Sequence, residues 1–242
     1  MEYPYLLLDA GGTLVFPDQE LIADTLAAQG CELDPERVYE AHFRLVHQYD
    51  MLVRAAAAPL SISIRTFFRD MMMLAGAPME AAEGVVDRLV ARHDETSLWT
   101  YTKPWVAGTL ALLQRRGVRM SVISNSDGRV RQQLEACGIT PYLEAVFDSH
   151  IVGVEKPDPG IFLHAIGQLG LSAAECVYVG DFFSADVVGA NRAGIGSVHL
   201  DPLGCYGDWP GVHLRDIRAL PDCMATLKAS QAGFELFPAR ER

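Results

Sequence analysis

The chain has 242 residues, half of them hydrophobic and 21% charged, a composition that excludes intrinsic disorder and collagen-like repeats and fits one large globular core with room for a smaller module. Its formal net charge of -11 argues against a nucleic-acid partner, because phosphate backbones require clustered Lys and Arg. No apolar run approaches the roughly 20 residues of a membrane span, and Met1 to Pro4 opens no basic export segment, so the expected setting is cytoplasmic, with no membrane partner.

The first element is the apolar run Tyr5-Leu6-Leu7-Leu8, read as a buried strand, which delivers Asp9 into the tight turn Ala10-Gly11-Gly12-Thr13. After Pro17 the chain is rich in Ala, Met, Leu and Arg as far as about Tyr101 and reads as helices. Leu21, Ile22, Thr25 and Leu26 follow helical spacing, and Asp34-Pro35-Glu36 supplies an N-cap, a proline at the first helical position and an acid in the first turn. Residues 64–74 form a further helix that Gly76 and Pro78 stop, and residues 80–92 restart one. From Pro104 the pattern alternates: helix 106–116, strand 118–124, helix 130–137, an apolar run 146–151, helix 159–169, strand 176–180, helix 185–193 and strand 196–200. Such alternation predicts a parallel sheet covered by helices, an α/β fold. Ser172 to Glu175 matches a capping box with space for one helical turn. The first strand is thus separated from the rest of the sheet by a helical insertion, a candidate lid. Cys31, Cys137, Cys176, Cys205 and Cys223 are scattered without paired metal spacing and read as reduced structural thiols.

Four groups fall where strands end, which is where an open parallel sheet presents its ligands. They are Asp9 with Thr13, Ser124 with Asn125 ahead of a helix, Lys156 pinned before Pro157, and Asp181 with Asp186, two carboxylates suited to a hard cation. Each has an ordinary explanation on its own: an Asx-turn, a helix cap, a solvated lysine, acids at a helix start. Their joint order on successive strand-to-loop junctions is what singles them out.

The segments LLLDAGGTL, VISNS, VEKPDPGIF and YVGDFFSADVVGANRAG resemble the four motifs of the haloacid dehalogenase-like hydrolase superfamily, and the resemblance runs from about Tyr5 to about Leu227. It implies a Rossmann-like parallel sheet core, residues 1–17 and 103–242, and a helical cap domain, residues 18–102. It further implies Asp9 as nucleophile, with Ser124 and Lys156 as ligands of the transferring phosphoryl group and Thr13 and the Asn125 amide beside the substrate. Mg2+ would be held by Asp9, the carbonyl of Gly11, Asp181 and Asp186. The implied activity is magnesium-dependent hydrolysis of a small phosphorylated metabolite through an aspartyl-phosphate intermediate, in a monomer or homodimer.

One position departs from the pattern. Phosphatases of the superfamily carry a second aspartate two residues after the nucleophile as general acid and base, and here that residue is Gly11. Such assistance is worth about a hundred- to ten-thousand-fold. This leaves open a phosphohydrolase acting on a good leaving group such as an acyl or aryl phosphate, a 2-haloacid dehalogenase with Arg44 as a cap arginine, and a non-catalytic member that binds a phosphorylated ligand or a protein. Phosphonate cleavage requires a cap lysine, and no lysine precedes Lys103. Asp127 is expected to cap a helix beginning near Gly128, and Trp99 and Trp105 either line the pocket entrance or pack at the junction. His42, His47 and His93 show no ligand spacing, and residues 230–242 carry no recognisable chemistry.

Overall fold

The computed structural model describes residues 3–56 and 62–227. A six-stranded parallel sheet runs in the order β3-β2-β1-β4-β5-β6, with β1 Tyr5–Leu8, β2 Met120–Ser124, β3 Val146–Asp148, β4 Cys176–Gly180, β5 Gly196–Leu200 and β6 Val212–Leu214. This is the α/β, Rossmann-like arrangement the alternation predicts. The order reverses at β1, which pairs with β2 on one side and β4 on the other, so a crevice opens beyond the carboxyl ends of these three strands.

Helices cover both faces because the strands are apolar on both. In β1 the side-chain period of two sends Leu6 and Leu8 into a core with Val106, Leu110, Val122, Val179 and Met224, and sends Tyr5 and Leu7 into a second core with Ile161, Phe162, Tyr178 and Ile195. The first face is covered by α5 Trp105–Arg115 and α10 Leu220–Leu227, the second by α8 Pro159–Leu169 and α9 Asp186–Arg192.

Between β1 and β2 lie α1 Gln19–Ala27, α2 Pro35–Ala56, α3 Ile64–Ala75 and α4 Met79–Thr96. They pack around a core of their own that includes Ile22, Leu45, Phe68, Met72, Val86 and Leu89. Local chemistry sets their ends: Asp18 accepts from Leu21 N, Ser63 accepts from Thr66 N, and Gly76 leaves α3 in the left-handed conformation at φ 110°. An antiparallel bridge between Phe16 and Tyr101 ties the outgoing chain to the returning one.

Two expectations are corrected. The apolar run 146–151 is a strand only to Asp148, whose carboxylate then accepts from His150 N and starts the one-turn α7 Ser149–Val152. The same carboxylate accepts from Gly128 N and Val130 N ahead of α6 Val130–Ala136, the place expected for Asp127, which instead pairs with Arg129. The edge strand β6 carries no sequence signal and was not anticipated. Residues 230–242 lie outside the described residues. No described helix is long and apolar enough to cross a membrane.

Candidate active site

Asp9 follows β1 directly, and its amide donates to Val179 O at 2.8 Å, so the β1–β4 ladder holds its backbone to the last residue. The chain then folds back, Gly12 N to Val15 O at 2.8 Å, with Gly12 at φ 74°. A Cβ on Gly12 would stand 2.1 Å from Asp181 Oδ2, and one on Gly180 would stand 2.3 Å from Asp186 Oδ2. These two glycines are the space into which the two acids fit.

Lys156 reaches the same point from the loop before α8. Its Nζ donates to Asp9 Oδ1 at 2.6 Å, Asp186 Oδ1 at 2.6 Å and the Tyr178 hydroxyl at 2.9 Å. Asn125, just past β2, clamps the lysine backbone: Nδ2 donates to Lys156 O at 2.9 Å and Oδ1 accepts from Lys156 N at 2.8 Å. Its side chain is therefore spent on positioning Lys156, which leaves only the main-chain amide for the substrate. Ser124 is buried at the end of β2, and among the described residues its one hydroxyl hydrogen bond is a long 3.4 Å to Asn125 O. Thr13 Oγ1 is buried and has no hydrogen-bond partner among the described residues.

Asp9, Asp181 and Asp186 each offer an oxygen within 4.8 Å of the others, and all three are buried. Burial pushes the Asp9 carboxyl up to about 7; Lys156 pulls it down, and Asp186 and Asp181 push it further up. Burial also raises Asp181, against the pull of His42. Burial opposes the charge on Lys156, but Asp186 and Asp9 outweigh it and hold the ammonium above the ordinary lysine value. Three carboxylates facing one ammonium leave an excess of negative charge on an all-oxygen donor set, which fits a hard divalent ion such as Mg2+.

Sequence reasoning passed over two residues on α2. His42 Nε2 lies 3.3 Å from Asp181 Oδ2, a contact that no spacing among the histidines of the insertion signals. Asp50, fully buried, accepts from Phe183 N at 2.9 Å, Ser184 N at 2.7 Å and the Tyr206 hydroxyl at 2.6 Å. The insertion thereby grips the loop that carries Asp181 and Asp186. The available signal was two polar residues on the face that buries Ala41, Leu45, Val46 and Tyr49. Tyr178 carries only a strand signal in the sequence, and nothing in the sequence marks His199, whose Nε2 lies 2.9 Å from Asp181 O.

A cavity of about 220 Å³ lies beside the cluster, lined by Ala10, Gly11, Ser124 and Asn125 from the core and by His93 of α4 and Trp99 just after it, among others. Trp105 is elsewhere, with the Arg218 guanidinium 4.9 Å from its ring, and His47 packs edge-on to Tyr206. Arg44 is half exposed and paired with Glu40 at 2.9 Å, away from the cavity.

Residues 3–194 match the family model described as haloacid dehalogenase-like hydrolase. The chain belongs to this hydrolase family. It is 38% identical over 120 residues to a glyceraldehyde 3-phosphate phosphatase of Methanopyrus kandleri, covering 48% of this chain and 50% of that protein. The chain thus spans about half the length or less of the first curated relatives it matches. In fold it is similar to the HAD-hydrolase YfnB of Bacillus subtilis bound to magnesium, with a TM-score of 0.62 at 18% identity over 93% of this chain and 99% of that one. It is also similar to a 2-haloacid dehalogenase of Pseudomonas syringae pv. Tomato, with a TM-score of 0.53 at 24% identity over 93% and 99%.

Proposed function

We propose that this haloacid dehalogenase-like hydrolase removes phosphate from a small phosphorylated metabolite in a magnesium-dependent reaction that passes through a phosphorylated Asp9. The observation that carries the reading is the buried cluster in which Lys156 Nζ touches Asp9 and Asp186 while Asp181 completes a set of three carboxylates. The likeness to a sugar-phosphate phosphatase supports the same chemistry.

In this reading Asp9, Asp181, Asp186 and the Gly11 carbonyl hold Mg2+, which when bound neutralises charge between the attacking carboxylate and the phosphate. Asp9 attacks phosphorus, the bond to the leaving oxygen breaks, and that oxygen departs with the bonding electrons. Lys156 holds Asp9 in place and offsets charge on the phosphoryl oxygens. The Ser124 hydroxyl, the Asn125 amide and the unpartnered Thr13 hydroxyl supply donors to the remaining oxygens. Water then attacks phosphorus, which frees phosphate and regenerates Asp9. Residues 18–102 act as a cap, with His42 and Asp50 seating it on the core.

A second reading, 2-haloacid displacement, draws on the fold likeness to the Pseudomonas protein and on the absent acid at position 11. Arg44 opposes it, since that side chain pairs with Glu40 instead of entering the site. Assays of p-nitrophenyl phosphate, acetyl phosphate, an alkyl phosphate and 2-chloropropionate, with and without magnesium, separate the two. The proposal expects magnesium-dependent phosphate release that Asp9→Asn abolishes. Metal-independent chloride release selects the dehalogenase, and phosphate release surviving Asp9→Asn removes the mechanism.

A further inference from the structure

We infer that Trp99 is the leaving-group residue of this site: its indole N–H occupies the space a side chain at position 11 would enter and donates a hydrogen bond to the departing oxygen without giving up a proton. The inference rests on the phosphohydrolase reading above. A Cβ built on Gly11 meets Trp99 Nε1 at 3.1 Å and Trp99 Cδ1 at 3.4 Å. Gly11 is absent from the residues with positive φ, so the backbone there does not demand glycine; the indole is what stands in the way. The ring is fixed from behind by Phe67, Phe68 and His93, each with its centroid 5.6 Å away, and the Trp99 main-chain N–H donates to Ser97 Oγ at 3.2 Å. Among the described residues the indole N–H has no hydrogen-bond acceptor, and Trp99 lines the same cavity as Gly11, Ser124 and Asn125. A donor held at the reaction site and matched to nothing in the protein is a donor for the substrate.

An indole nitrogen donates but neither accepts nor titrates in the working range. It therefore stabilises a negative oxygen that has already formed and leaves its protonation to solvent. In the first step the bond between phosphorus and the leaving oxygen breaks as the bond to Asp9 forms, and the oxygen leaves as an anion on the Trp99 N–H. In the second, the attacking water loses its proton to solvent. Only oxygens that are stable as anions depart readily under these terms, so the substrate class is an aryl or acyl phosphate. Alkyl phosphates, which need the missing acid, lose the roughly hundred- to ten-thousand-fold that general acid catalysis supplies.

The test is a series of substituted phenyl phosphates with the magnesium-loaded full chain, plotting log kcat/KM against leaving-group pKa for the native protein and Trp99→Phe. The native chain should show a steep decline with rising pKa. Trp99→Phe should lose about tenfold or more on the most basic phenols, the worth of a hydrogen bond to a charged acceptor, and little on p-nitrophenol, so that its line is steeper. Parallel lines, a uniform loss or no loss, give Trp99 a packing role only and overturn the inference. A flat native line overturns it without any variant, because it means that a protein group protonates the leaving oxygen. A native chain inactive on the whole series removes the underlying phosphohydrolase reading, a different result from either.

Discussion

Replacing Asp50 with alanine takes away one carboxylate that Phe183 N–H, Ser184 N–H and the Tyr206 hydroxyl share at 2.9, 2.7 and 2.6 Å. Burial lifts Asp50 to about 6 against the pull of these donors, so at pH 7.5 it is ionised. Hydrogen bonds to a charged group contribute about 1.5–3 kcal/mol each, and a buried donor that loses its acceptor costs about 1–3 kcal/mol. The tyrosine hydroxyl can turn to another acceptor; the two main-chain amides cannot. Relief from burying a charge offsets part of the loss, which leaves about 3 kcal/mol. At roughly 2–4 °C per kcal/mol for a chain of this size, the melting temperature falls by about 6–12 °C. The affected amides lie in the loop between Asp181 and Asp186, so magnesium affinity also falls, by about tenfold to a hundredfold as for other supporting residues of metal sites. Scanning calorimetry and magnesium titration calorimetry at pH 7.5 read both effects, with Asp50→Asn falling between because it keeps one acceptor oxygen. An alanine variant that melts within a degree of the native chain and binds magnesium equally well refutes the reasoning.

Gly12→Ala should cost about a hundredfold in kcat/KM on p-nitrophenyl phosphate, since its Cβ would stand 2.1 Å from Asp181 Oδ2 and must displace that carboxylate by an ångström or so; unchanged turnover shows that Asp181 has no precise position to keep. Lys156→Met leaves three buried carboxylates without their bridging ammonium and should lower stability at pH 8 by about 3–5 kcal/mol in metal-free buffer, with magnesium restoring much of it; equal melting in both buffers contradicts this. Burial and Arg129 hold His93 below its ordinary pKa, and its Nδ1 accepts from Leu98 N at 3.2 Å, a bond that protonation destroys. The unfolded chain then binds more protons below about pH 6.5, so the native melting temperature drops as the pH falls through that range. His93→Gln should show a shallower drop between pH 7.5 and 5.5, and identical profiles contradict the assignment.

Much of the core was legible because its signals are local. Tyr5 to Leu8 is apolar on both faces and can only be a buried strand, and Pro35 behind Asp34 fixes the start of α2 whatever else is present. Asp9 and Asp181 were legible because each directly follows an apolar strand; Lys156, beyond α7 in the loop before α8, and Asp186, the first residue of α9, lie further from a strand end than their motifs suggest. What escaped notice depends on partners distant in the chain. The apolar run at 146–151 does not itself show that Asp148 will turn and cap two helices. β6 is three residues long and exists because the β5 edge offers it a ladder. His42 meets Asp181 across 139 residues and Asp50 meets Phe183 across 133, so neither contact leaves a spacing to read. At position 11 the missing carboxylate was plain in the sequence, but only the folded chain brings the Trp99 ring beside it.

Phosphopeptide mapping of the acid-quenched protein during turnover of acetyl phosphate in magnesium tests the central claim most directly. The account predicts a phosphoryl group on the peptide that contains Asp9, absent without magnesium and absent in Asp9→Asn. Turnover with no phosphoryl on that peptide, or with phosphoryl on another side chain, contradicts it.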